Sequence, residues 1–416
     1  MPENWKTYKL GDVADVQNGF AFKSGDFGEN GIPVIKIKNI VSPNVILEGA
    51  GYYTGKIEAK LEKYILQRND FLISMTGSTV NVMSSAVGKM GRYRLDNIAL
   101  INQRVGKIYI TDKIKADIDY ICHFLNRYEI NYNLALNATG SANQANISPE
   151  QIRNIDILLP PLAEQVSIAS IFSAIDDKIE LNLQTSKTLE EMAMTLYKHW
   201  FVDFGPFQNC EFIDSELGPI PNGWYVKQLK DVLKLKKENI KVSSITEELP
   251  YVPIDCLVSK SLLLGSFKPG IEAQSSLLKF KRGDILFGAM RAYFHKVTIA
   301  PFEGTTRSTA FVFCTVKDFY FSFGLCLLNQ VETINFASSN SQGSTIPYAI
   351  WDKTMSDMKM VFPPEIIINK FNNLVFNYFK QIIEIFHENQ TLSTLRDTLL
   401  PKLISGEVRL KEFAQT

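Results

Sequence analysis

The 416-residue chain is written twice. Residues 137–203 and 340–406 align at a constant offset of 203 positions with no gap, pairing Gly140-Ser141 with Gly343-Ser344, Pro160-Pro161 with Pro363-Pro364, and Thr195-Leu196 with Thr398-Leu399. Upstream the halves correspond with shifted spacing: Trp5, Leu10, Asp12 and Val13 answer to Trp224, Leu229, Asp231 and Val232, and Arg68-Asn-Asp70 to Arg282-Gly-Asp284. A repeat of this kind is one structural unit used twice. Strict spacing beside drift predicts a variable globular part followed by a constrained element in each half.

The constrained element reads as a long helix. Alternating steps of four and three place Ile168, Phe172, Ile175, Ile179, Asn182, Ser186, Leu189, Ala193, Leu196 and Trp200 on one line. The second half gives Phe371, Val375, Tyr378, Ile382, Ile385, Asn389, Leu392, Arg396, Leu399 and Leu403. Heptad periodicity sustained this long predicts a coiled coil, and two similar seams in one chain predict that the helices pair with each other. The residues assigned to pairing are Ile168, Phe172, Ile175, Ile179, Leu189, Leu196, Val375, Tyr378, Ile382, Leu392 and Leu399. From Ile168 to Trp200 such a helix rises about 48 Å, comparable to about 14 base pairs of duplex.

The predicted order is a globular part at 1–161, a helix at 162–203, a Gly/Pro linker at 204–223, a second globular part at 224–364, a helix at 365–406 and a tail at 407–416. The globular parts read as mixed α+β, with strand-like alternation at 32–38 and 105–110 and a short helix at 117–131. Trp5, Trp224 and Phe294 are assigned to cores.

Composition removes several classes of function. Lys+Arg and Asp+Glu number 44 each, so no bulk charge announces a partner. By segment, 1–161 and 204–364 each carry +2, 162–203 carries −4 and 365–416 is neutral. There is no phosphate-binding Gly-Lys-Ser/Thr loop, no Gly-x-Gly-x-x-Gly and no His-Glu-x-x-His, and the Gly-Lys pairs at Gly55, Gly88 and Gly106 lack the following hydroxyl. Five scattered cysteines without a Cys-x-x-Cys pair predict a reduced protein with no structural zinc, hence a cytoplasmic one. The start of the chain lacks signal-peptide order, and the uncharged run 71–88 holds too many hydroxyls for lipid. Glu58-Ala-Lys60 and Asp176-Asp-Lys178 match a short nuclease element that arises often by chance, and the second, inside a helical stretch, reads as a solvated helix face ahead of a metal site.

Within the globular parts cations cluster with aromatics and amides. The side chains whose donors fit base edges or phosphates are Lys36, Lys38, Asn39, Arg92, Gln103 and Arg104 in the first half, and Lys281, Arg282, Arg291, Tyr293, Lys296 and Arg307 in the second. Ser141 and Ser344, in the loops after Gly140 and Gly343, complete the set; solvated strand faces and plain turns would carry the same residue types.

Eight segments together resemble one family, the specificity subunits of type I restriction–modification systems. They are Trp5-Lys-x-x-Lys-Leu-Gly-Asp-Val13, Asn102-Gln-Arg-Val-Gly-Lys107, Leu159-Pro-Pro-Leu-x-Glu-Gln165, Leu196-Tyr-Lys-His-Trp-Phe-Val-Asp-Phe204, Gly218-Pro-Ile-Pro221 with Gly223-Trp224, the run from Gly283-Asp-Ile-Leu to Phe-His-Lys296, Gly343-Ser-Thr-Ile-Pro347, and Leu395-Arg-Asp-Thr-Leu-Leu-Pro-Lys-Leu-Ile-Ser-Gly406. The second helix departs by opening Pro363-Pro-Glu-Ile-Ile-Ile368. The resemblance implies two target-recognition domains, each reading one half of a bipartite double-stranded DNA site, held apart by two antiparallel helices. It also implies a chain without catalytic residues, metal or cofactor, on which two modification subunits bring S-adenosylmethionine and restriction subunits bring ATP and Mg2+. A protein-binding scaffold without DNA readout, and a nuclease using Glu58 or Asp176, are the rival readings.

Overall fold

The computed structural model describes residues 2–85, 87–141, 144–241, 244, 246–273 and 277–413, and the statements below concern these residues. Two compact units result: Met1–Lys178 with Ser393–Thr416, and Ile179–Leu392.

In the first unit, Val105–Ile110 lies between Ala14–Asn18 and Phe71–Ser74, and Met90–Arg92 extends the sheet beyond Phe71–Ser74. All four residues of Phe71–Ser74 are buried, which is why this central strand opens with three consecutive apolar residues and does not alternate. A second sheet runs Phe27–Gly28, Gly51–Tyr53, Ile32–Ile35, Ala99–Ile101, Ile65–Leu66. The second unit repeats the first three neighbours as Leu233–Lys236, Ala310–Thr315 and Ile285–Gly288, with Val297–Ile299 at the edge. Trp5 and Trp224 are buried, as read from sequence. Each unit is mixed helix and sheet, so the α+β class holds.

Two local expectations are corrected. The run 32–38 is not one strand: it stops at Ile35, and Ile37–Asn39 forms a 3-10 turn. The helix expected at 117–131 is two, Ile118–Leu125 and Tyr128–Leu136, broken at Asn126-Arg127. Both recur at the same offset as Phe321–Leu328 and Val331–Ser339, as do Asp156–Leu159 in Lys359–Phe362 and Leu162–Phe201 in Glu365–Ile404. The gapless stretch therefore begins well before residue 137, hidden because few identities mark it.

Leu162–Phe201 and Glu365–Ile404 are helices of 40 residues each, and each contributes to both units. In the second unit Asn182 bonds Glu388 and Asn389, while Tyr197, Trp200 and Phe201 surround Phe371. Residue numbers rise along one helix as they fall along the other, so the helices pair antiparallel there. In the first unit Arg396 bonds Asp176 in the same sense.

Of the positions assigned to pairing, Ile168, Phe172, Ile175, Leu189, Val375 and Ile382 are buried, and Ile179, Leu196, Tyr378, Leu392 and Leu399 are half-buried. Near the end of the first helix the buried line moves by one residue, from Leu196 and Trp200 to Tyr197 and Phe201. A straight helix drifts about 20° per heptad against a 3.5 repeat, so four heptads bring the neighbouring residue inward.

The helix entries explain their motif. Gln165, fully buried, donates to Lys115 O (2.7 Å) and Pro160 O (2.8 Å) and accepts from Asp117 N (2.9 Å). Glu164, equally buried, accepts from the Trp5 indole at 3.1 Å and twice from Arg409, at 3.0 and 2.9 Å. In the second half Ile367 and Ile368 occupy these positions, Ile368 fully buried, so apolar packing replaces the polar clamp. Glu365 there binds Lys317 and the Tyr320 hydroxyl instead. No helix is long and apolar enough to cross a membrane among the described residues.

Candidate nucleic-acid interface

The same corner is built in both units. In the first, the chain leaves the central strand Phe71–Ser74 and pairs Thr76-Gly77 with Ala145-Asn146 of the hairpin that follows Gly140. Thr76 Oγ1 donates to Asn146 Oδ1 at 2.7 Å. In the second, Met290 follows Ile285–Gly288 and bridges Tyr348, while Arg291 N donates to Pro347 O at 2.8 Å, bringing in the loop after Gly343. Gly140 and Gly343 have φ of +116° and +99°, and a Cβ on either would stand 2.4 Å from Gln144 O or 2.8 Å from Ile346 O. Glycine at both positions is thus demanded by the turn.

Among the sequence-predicted contacts, the exposed ones are Lys38, Gln103 and Arg104 in the first unit and Lys281, Arg282, Tyr293, Arg307 and Ser344 in the second. Gln103 and Arg104 form the turn before Val105–Ile110, and Arg104 faces the Gln144 carboxamide at 2.9 and 3.2 Å, joining that turn to the Gly140 hairpin. The Ser141 side chain lies outside the described residues. Lys36 is half-buried, with its ammonium 4.2 Å from the Phe27 ring centroid. Arg282 pairs with Glu384 at 2.6 Å, which turns it toward the second long helix.

Three candidates are corrected because the fold consumes their polar groups. Asn39 is fully buried, accepting from Lys36 N at 3.0 Å and donating to Glu48 O at 3.1 Å. Arg92 is buried, ion-paired with Asp119 and stacked over Phe71 at 4.4 Å. Lys296 is half-buried and spends its ammonium on Ile254 O at 2.8 Å. Arg291 is half-buried, and its Nε is buried without a hydrogen-bond partner.

Phe294, assigned to the core from sequence, is instead 46% exposed. Tyr128 and Tyr132, one turn apart on Tyr128–Leu136, are exposed as well, and sequence reasoning missed them. A signal existed for Phe294, which lies in the acid-free stretch 285–302; the first half's acid-free stretch, 71–95, ends well before Tyr128.

The acids of the nuclease reading are engaged. Glu58 pairs with Lys60 at 2.8 Å in solvent, and Asp176 sits between His123 and Arg396. His123 is buried, and that burial pushes its imidazole down to about 4, only partly opposed by Asp176.

Residues 2–191 match the family model described as the type I restriction modification DNA specificity domain. The chain is 26% identical over 435 residues to the type I restriction enzyme MjaIX specificity subunit of Methanocaldococcus jannaschii, covering 99% of this chain and 95% of that protein. The putative type I restriction enzyme MjaX specificity subunit of the same organism is 24% identical over 421 residues, with the same coverage of 99% and 95%. The crystal structure of the type I restriction–modification S subunit from M. genitalium shares the fold, with a TM-score of 0.59, 15% identity and 96% of each chain covered.

Proposed function

Because the chain belongs to the family of type I restriction–modification specificity subunits, we propose that it reads a bipartite site in double-stranded DNA, one repeat to each half-site. The observation that carries this is the corner built twice: a buried central strand, a glycine-dependent hairpin docked at its end, and exposed amide, hydroxyl and cationic side chains around both. Exposed cations supply phosphate contacts that fix register, and Gln103, Arg104, Arg307 and Ser344, all exposed, are the candidates for base-edge or backbone contacts. The two long helices carry modification subunits, with restriction subunits joining that core. Exposed Leu181, Met192, Ile366 and Leu374 on these helices are apolar surface of the kind partner chains cover. S-adenosylmethionine, ATP and Mg2+ belong to those partners, and the assembled complex methylates adenine and cleaves DNA.

The test is an exchange. Replacing the first globular part by that of another such chain changes one half-site of the methylation pattern, read by sequencing, and leaves the other unchanged. An unaltered pattern, or one changed in both halves, overturns the modular reading.

A further inference from the structure

Each unit carries a pair of aromatic rings in solvent beside the break between its two short helices, and only the second unit's pair lies within an acid-free stretch, 285–302. In the second unit the rings are Tyr293 and Phe294, 52% and 46% exposed, with centroids 4.8 Å apart. In the first they are Tyr128 and Tyr132, stacked at 5.9 Å with planes 28° apart. Both pairs stand at the break between the two short helices, at Asn126 and its repeat equivalent Asn329. His295 Nε2 and Asn329 Oδ1 are 2.7 Å apart and tie the Tyr293-Phe294 turn to that break. In the first unit Gly88 packs against Leu134 and Asn131 of Tyr128–Leu136, so the equivalent stretch reaches the same helix.

The turn is held, not loose. Arg291 and His295, on either side of Ala292–Phe294, have φ of +53° and +51°, a region disfavoured for any residue with a Cβ. Lys260 N bonds His295 O at 2.7 Å, and Phe294 N and His295 N bond Arg291 O and Ala292 O. Strained backbone that projects two large rings out of the core is the reverse of what folding alone selects, and such strain concentrates at functional positions. The buried Arg291 Nε that lacks a partner lies at the base of the same turn.

We propose that Tyr293 and Phe294 form a wedge that stacks into a base step of the half-site read by the second unit, unstacking that step. This rests on the DNA-reading role above. The charge around the rings favours DNA over a protein partner: Arg291 precedes them in sequence, the exposed Lys260 is tied to their turn by its hydrogen bond to His295 O, and no acid lies within 285–302. Apolar wedges flanked by cations open base steps while the cations hold phosphates. Tyr128 and Tyr132 are the exposed pair of the first unit; Glu129 adjoins them, and its repeat equivalent Glu332 opens Val331–Ser339 in the second.

The experiment uses the full chain assembled with its modification subunits and duplexes carrying the mapped site, with 2-aminopurine walked along both half-sites. Fluorescence rises at one step of the second unit's half-site. Tyr293→Ala with Phe294→Ala abolishes that rise and weakens binding roughly 5- to 150-fold, the range of lost aromatic stacking. Tyr293→Phe keeps both, and Tyr293→Ser with Phe294→Ser, whose thermal melt matches the parent, separates ring loss from misfolding. An unchanged rise in the ring-less variants overturns the wedge, as does a loss of modification subunits with unstacking retained, which makes the rings a protein contact. A parent complex that methylates its site without any rise also overturns the wedge alone. A parent complex without salt-dependent DNA binding overturns the DNA-reading role itself.

Discussion

Arg396 reaches across from the second long helix to Asp176 of the first, Nη1 to Oδ1 at 3.0 Å, with the two side chains 23% and 11% exposed. Arg396 was a polar interruption in a predicted apolar seam and Asp176 a candidate metal-binding acid; the structure makes them one ion pair. Removing one member strands a largely buried charge. Arg396→Met is expected to lower unfolding free energy by about 3 kcal/mol, measured by urea denaturation, and Asp176→Leu in that background to restore most of it. Two neutral single variants would show that water, not Arg396, satisfies the carboxylate.

His123 gives the first unit a pH dependence with a definite sign. Burial, partly offset by Asp176 and reinforced to a lesser extent by Arg92, Arg396 and Arg94, holds its imidazole at about 4 in the folded chain against an ordinary 6.5. The unfolded chain therefore takes up this proton first as pH falls. The contribution to stability is whole above about 6.5 and is lost progressively down to about 4, amounting to at most about 3 kcal/mol. His123→Gln flattens the profile between pH 7 and 4; a variant that tracks the parent throughout refutes the assignment.

The antiparallel pairing alters how a spacer experiment is designed. Asn182 faces Glu388 and Asn389, not its repeat equivalent Ile385. A heptad inserted after Asn182 and another after Asn389 keep both seams in register and add about 10.5 Å of helix. The spacer of the recognised site is expected to lengthen by about 3 base pairs, read from the methylation map. An unchanged spacer shows that the helices do not set it.

Exposed and buried candidates separate by assay. Arg104→Ala is expected to lower DNA affinity and reduce the log–log salt slope by about one, without changing the melt, because one exposed cation is lost. Asn39→Ala does the opposite: it leaves Lys36 N and Glu48 O unpaired in the interior and costs about 1–3 kcal/mol of stability. DNA effects from Asn39→Ala at constant stability would return it to the interface.

The repeat, the helices and their entry points were legible because each rests on spacing along the chain. Heptads and a fixed offset survive sequence drift, and the Pro-Pro pairs mark the starts of Leu162–Phe201 and Glu365–Ile404. The interface was legible only as residue types. Arg104 and Arg92 look alike in sequence, yet one lies on a turn in solvent and the other pairs with Asp119, 27 residues away. Which donor the fold consumes depends on what tertiary packing sets beside it. Phe294 failed for a related reason: hydrophobicity predicts burial on average, while two left-handed residues, invisible to composition, turned this ring outward.

The polar clamp at Gln165 has a practical consequence for recombination. It joins the carbonyls of Lys115 and Pro160 and the amide of Asp117 to the first turn of the long helix. A graft cut at the Pro-Pro pair would hand a foreign domain to a glutamine shaped for another surface, whereas the second repeat closes the same joint with Ile368. Gene exchange that trades one globular part for another is therefore least disruptive when its crossover falls beyond residue 165, within the long helix.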